Sequence, residues 1–150
     1  MYEIVLSLHN VLRWLVLVAG VLAVFGAVAG WTGARAWTPS SAGAGRLFTI
    51  SLDVQFLLGI LLYAMLSPVT RAAFADFGAA MANPDLRFFA VEHALLMVLA
   101  LMAAHVGKVR APKAATDAKR HRTAAIWYGL ALLLILAGMS WFRPLFRLGA

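Results

Sequence analysis

The chain has 150 residues, 63% of them hydrophobic and 13% charged, with a formal net charge of +7 and no cysteine. That balance lies far outside the soluble range and marks an integral membrane protein, while the lack of cysteine excludes disulfides, thiolate metal sites, iron–sulfur clusters and thiol nucleophiles. Nor does the positive charge make nucleic acid a partner, because in so apolar a chain basic residues set how the segments sit in the bilayer.

The opening MYEIVLSLHN has no basic region, and the apolar run behind it is too long for a cleaved signal, so this segment is expected to be retained. A membrane helix needs about 20 mostly apolar residues. Four stretches meet that length: Val11 to Trp31, Leu47 to Leu66, Phe88 to Val106 and Thr123 to Phe142. Helix breakers lie between them at Thr38-Pro39-Ser40-Ser41, Ser67-Pro68, Asn83-Pro84-Asp85 and Ala111-Pro112. The connectors leave no room for a soluble domain. The expected fold is an all-α, single-domain, integral membrane four-helix bundle running up-down-up-down.

Charge orients it. The third connector holds Lys108, Arg110, Lys113, Lys119, Arg120 and Arg122 against Asp117, whereas the second balances Arg71 and Arg87 against Asp76 and Asp85. The positive-inside rule puts the third connector in the cytoplasm. Alternation then places the first connector inside and the second, with both termini, outside. Arg143 and Arg147 in the outer tail run mildly against this. Trp14, Trp31, Trp37, Trp127 and Trp141 fall near span ends, as an aromatic belt requires.

Ionisable groups within spans cost roughly 2.5 to 3.5 kcal/mol each on insertion scales, so they normally face the bundle interior and mark a site. They are Arg13, Asp53, Glu92, His93 and His105, with His9 just before the first span. His9, Arg13, Glu92 and His93 share the outer leaflet. His105 lies about 18 Å below His93 at 1.5 Å of rise per residue, and Asp53 is its nearest partner in depth. His121, within Lys119-Arg120-His121-Arg122, reads as a solvated residue at the inner surface. His9, Arg13, Val16 and Gly20 form one stripe on the first helix, and Gln55, Gly59 and Tyr63 one on the second. His93 and Met97 share a face of the third.

Two neutral imidazoles at one depth on two helices can grip the iron of a b-type haem, a cofactor that bundle cores commonly hold. His9 and His93 are the expected iron ligands, with Met97 a weaker axial candidate. Arg13 is placed to pair with a haem propionate, and Gly20 and Gly59 to let the macrocycle in. Glu92 would neutralise Arg13 or orient an imidazole. The bland alternative makes the glycines packing positions and the polar groups interhelical ties. Tyr63 reads most simply as an interfacial anchor. His105 with Asp53 is a candidate second site for quinone or proton handling.

His9-x-x-x-Arg13-Trp14 opening the first span, Gln55-Phe-Leu-Leu-Gly59 with Leu62-Tyr63 in the second, and Arg87-Phe-Phe-Ala-Val-Glu92-His93 opening the third resemble small four-helix bacterial membrane proteins labelled cytochrome b-like. The resemblance covers nearly the whole chain. It implies one haem b held by His9 and His93, with Arg13, Gln55 and Glu92 in the pocket, in a bacterial cytoplasmic membrane. Where that family carries a histidine two residues before the glutamine, this chain has Asp53. A fainter similarity runs to one half of haem A synthase.

The expected function is therefore single-electron transfer between membrane or periplasmic partners, with a redox protein or quinone as the exchange partner. No general acid, nucleophile or phosphate loop accompanies the histidines, which favours a carrier over a self-contained enzyme. The alternatives are a cofactor-free membrane subunit or assembly factor, and a haem-modifying enzyme of the haem A synthase type. A homodimer is compatible with the sequence. A transporter fits poorly without inverted repeats.

Overall fold

A computed structural model describes residues 1–142; Arg143 and Arg147, read above as a basic outer tail, lie outside the described residues. Every regular element among the described residues is helical: α1 (Tyr2–Thr32), α2 (Pro39–Leu61), α3 (Pro68–Ala75), α4 (Phe77–Ala82), α5 (Pro84–Arg87), α6 (His93–Arg110) and α7 (Asp117–Ala137). Wide π-turns at Leu62–Leu66 and Phe88–Glu92 extend α2 and join α5 to α6. Three continuous helices are long and apolar enough to cross a membrane, Tyr2–Thr32, Pro39–Leu66 and Pro84–Lys113. Large apolar side chains point outward along them, with Phe25 72% and Leu57 65% exposed, as expected where lipid replaces water.

The breakers act as caps. Thr38 closes a capping box with Ser41 ahead of Pro39, so α2 starts eight residues before the apolar run. Asn83 accepts from the Asp85 and Leu86 amides and starts α5 the same way. The second connector, for which the sequence suggests no regular structure, folds into α3 and α4. Ala73 and Ala80 are fully buried there and pack with Ala90 of the following π-turn. In α7 the acidic and basic first turns precede an apolar stretch from Thr123 to Ala137, about 15 residues or 22 Å of rise, shorter than the span expected to Phe142.

Four long helices close a ring of contacts. α1 packs on α2 and α7, and α6 packs on the same two, so α1 and α6 face one another across the centre. The shared core is rich in alanine (Ala19, Ala23, Ala100, Ala104, Ala131), which lets the backbones approach closely. Phe48, fully buried, fills the middle, and Gly20 admits it: a Cβ there would come within 2.9 Å of the Phe48 ring. Gly20 is thus a packing residue. It does not line the space beside His9, which corrects its expected place against a macrocycle.

Candidate functional site

α1 begins at Tyr2, so His9 sits inside the helix, in its third turn, and not just outside the span. Its ring points to the centre, beside Gly59, where a Cβ would lie 3.4 Å from His9 Cε1. Gln55 of α2 donates its amide to the His9 backbone carbonyl at 2.9 Å, tying the two helices at this level. A carbonyl inside a helix is already engaged in its own ladder, so this side-chain bond is a second one to the same oxygen and fixes the azimuth of α1.

His93 opens α6 immediately after the Phe88–Glu92 π-turn, and its own amide bonds to the Phe88 carbonyl five residues back. Such wide turns shift the angular phase of everything that follows. Tyr63 Oη donates to the Ala90 carbonyl within this turn at 2.6 Å, and Thr70 donates to the Tyr63 carbonyl at 2.8 Å. Tyr63 therefore braces the histidine-bearing turn, a role beyond the interfacial anchor expected of it. Phe88 and Phe89 flank the imidazole, each with its ring centroid 6.0 Å away.

The two imidazoles meet across the ring of helices. Their centroids are 6.5 Å apart and their planes 70° to one another. The His93 Nδ1–H donates to the Gly138 carbonyl at 2.7 Å. That bond fixes the tautomer and leaves Nε2 with its lone pair, the arrangement typical of a ligating histidine. His9 Nδ1 and Gln55 Oε1 are buried without hydrogen-bond partners, a condition uncommon enough to require a reason.

A cavity of about 450 Å³ surrounds this pair, within the size range of small-molecule and cofactor sites. His9, Arg13, Gln55, Gly59, His93 and Met97 all line it, as the sequence suggested. Met97 also packs its methyl toward Gly138, where a Cβ would come within 2.5 Å. Residues the sequence reading did not select, Thr70, Phe89 and Gly138 among them, complete the wall. Their signal was weak: Thr70 lies in a connector taken as a loop, and Gly138 contributes only its carbonyl.

Three expectations change. Glu92 is not a cavity residue; its carboxylate pairs with Arg87 at 2.8 Å, both groups near half exposed. The π-turn carries this pair at a spacing of five residues, where an ideal helix would have turned the side chains apart. His105 and Asp53 do bond, Nε2 to Oδ1 at 2.7 Å, but on a half-exposed flank between α6 and α2 that borders neither large cavity. His121 is not solvated: it is 2% exposed, lies edge-on to Trp37 with centroids 4.9 Å apart, and occupies the space left by Gly30.

Among the described residues no three His, Asp or Glu side chains converge as a metal-binding group. The donor set is two imidazoles. No family model, no curated protein and no solved structure matches the chain.

Proposed function

We propose that the protein is a small membrane cytochrome, an up-down-up-down four-helix bundle with both termini outside, that holds one haem b between His9 and His93. The observation that carries this reading is the approach of the two rings inside one cavity. Two rings with centroids 6.5 Å apart are near enough to share one metal ion, which imidazole nitrogens would bind at about 2.0 Å. The two imidazoles suit the group in number and ring spacing, and the Gly138 bond gives His93 the matching tautomer.

A haem bound there supplies exchange of a single electron between ferric and ferrous iron. The chain's residues do the rest. His93, fixed by Gly138, presents Nε2; His9, seated against Gly59 and fixed in azimuth by Gln55, presents its ring from the opposite helix. Arg13, one turn from His9 on the cavity wall, is the cation for a propionate. Phe88 and Phe89 keep water from the His93 side. The basic α6–α7 connector supports a cytoplasmic position for that end and hence an outer-leaflet haem. The resemblance to cytochrome b-like four-helix proteins points to a bacterial cytoplasmic membrane and to a quinone or redox protein as partner. His105 and Asp53 hydrogen-bond to one another and need no ligand in this scheme.

The test is the absorption spectrum of the purified protein before and after dithionite. A reduced b-type band is expected; a folded but colourless protein from haem-replete cells would overturn the proposal.

A further inference from the structure

α3 and α4 join the ends of two helices long enough to cross a membrane, Pro39–Leu66 and Pro84–Lys113. Ser67 alone separates the first of these from α3, and Asn83 alone separates α4 from the second. With so little slack at both ends, the pair stays at the level where the two long helices stop. Its inner side is fixed: Ala73 and Ala80 are fully buried, and Ser67, Val69 and Thr70 wall the His9–His93 cavity.

A helix that ends in water can leave its last carbonyls to the solvent. In the π-turn that closes α2 the chain takes them up itself. The Ser67 amide donates to the Leu62 carbonyl at 2.8 Å, Thr70 Oγ1 to the Tyr63 carbonyl at 2.8 Å, and the Arg71 guanidinium to the Met65 carbonyl. At the α3–α4 junction Asp76 accepts from the Ala79 amide at 2.9 Å. Polar groups met from within are what a water-poor medium demands. The outward side carries large apolar rings: Phe74 is 51% and Phe77 48% exposed, and Phe74 lies edge-on to Tyr63 with centroids 5.4 Å apart. Tyrosine at a span end belongs to the aromatic layer of a membrane interface, and Phe74 extends that layer onto α3. Arg71 and Asp76 stay exposed near the rings, which gives the segment the mixed charged and aromatic surface of an interfacial element.

We infer that α3 and α4 dock on the lipid surface, lying in the interfacial layer of the bilayer with Phe74 and Phe77 inserted at the boundary between headgroups and acyl chains. Lipid then covers the outside of the wall that α3 gives to the cavity. The inference rests on the long helices crossing a bilayer and stands or falls independently of the haem.

The experiment uses the absence of cysteine in the chain. Single substitutions Phe74→Cys and Phe77→Cys, with Asp85→Cys in the same connector and Leu57→Cys on the exposed face of α2 as references, are labelled with a nitroxide in the full chain and reconstituted in phosphatidylcholine–phosphatidylglycerol vesicles. Power saturation with oxygen and with a water-soluble nickel chelate then reads depth. The labels at 74 and 77 are expected to meet oxygen and be shielded from nickel, about 5 to 10 Å into the boundary, with Leu57 deeper and Asp85 open to nickel. Unlabelled thiols at 74 and 77 should react with a charged methanethiosulfonate more slowly than the thiol at 85. Nickel access at 74 and 77 equal to that at 85 would put the segment in water and overturn the inference; shielding from both reagents would place a protein surface, such as a second copy, on the rings and overturn it too. A label at 57 open to nickel would overturn the membrane reading and the inference with it.

Discussion

Two cavities of similar volume lie at opposite ends of the described helices, and on the wall of each a histidine lies against a glycine. At one end His9 lies beside Gly59, and a second imidazole arrives from the facing helix to 6.5 Å. At the other, Gly30 admits His121, which lies edge-on to Trp37, and Arg35 and Tyr128 line the same cavity. A histidine in a membrane helix therefore says little alone. What sets the proposed haem cavity apart is the second imidazole that the facing helix brings to it.

The contrast is sharpest under substitution of the histidines. His9→Ala and His93→Ala are each expected to remove the reduced b-type band, while His121→Ala leaves it in place; difference spectra of the three variants decide this. Next in size is steric. A Cβ on Gly30 would fall 2.2 Å from His121 Cε1, and on Gly45 2.1 Å from Tyr128 Oη, so Gly30→Ala and Gly45→Ala should each lose about 1 to 3 kcal/mol by overpacking. Thermal melts should show both reductions with the spectrum intact. At the first cavity Gly59→Leu should do the reverse, displacing the His9 ring and lowering haem content more than stability.

Gln55→Ala removes the tie between α2 and the His9 carbonyl and should cost about 1 kcal/mol, read as a lower melting temperature. The smallest effect belongs to Glu92→Gln. Its half-exposed pair with Arg87 lies off the cavity, so stability should change by no more than about 1 kcal/mol and haem content not at all. A loss of haem in this variant would return Glu92 to the site.

Much of this was legible in the residues. Apolar length gave three of the membrane-length helices, and depth with facing put His9 beside His93, because both depend only on counting along near-ideal helices. The failures have local physical causes. Glu92 is expected from the sequence to neutralise Arg13 or orient an imidazole, but the π-turn before His93 changes the phase and brings Arg87 within reach. His121 was read as solvated from its Lys-Arg-His-Arg setting, although Gly30, ninety-one residues earlier, holds the space that buries it. Gly20 looked like a gap for a cofactor and is filled by Phe48, a residue with no periodic link to it. Contacts between distant segments of this kind leave no periodic mark.

The most direct measurement is electron paramagnetic resonance of the oxidised protein. Two imidazoles on one iron should give a low-spin ferric signal that becomes high-spin, or disappears with the haem, in either His9→Ala or His93→Ala. A wild-type signal that is already high-spin, or a low-spin signal that survives both substitutions, would contradict ligation by this pair.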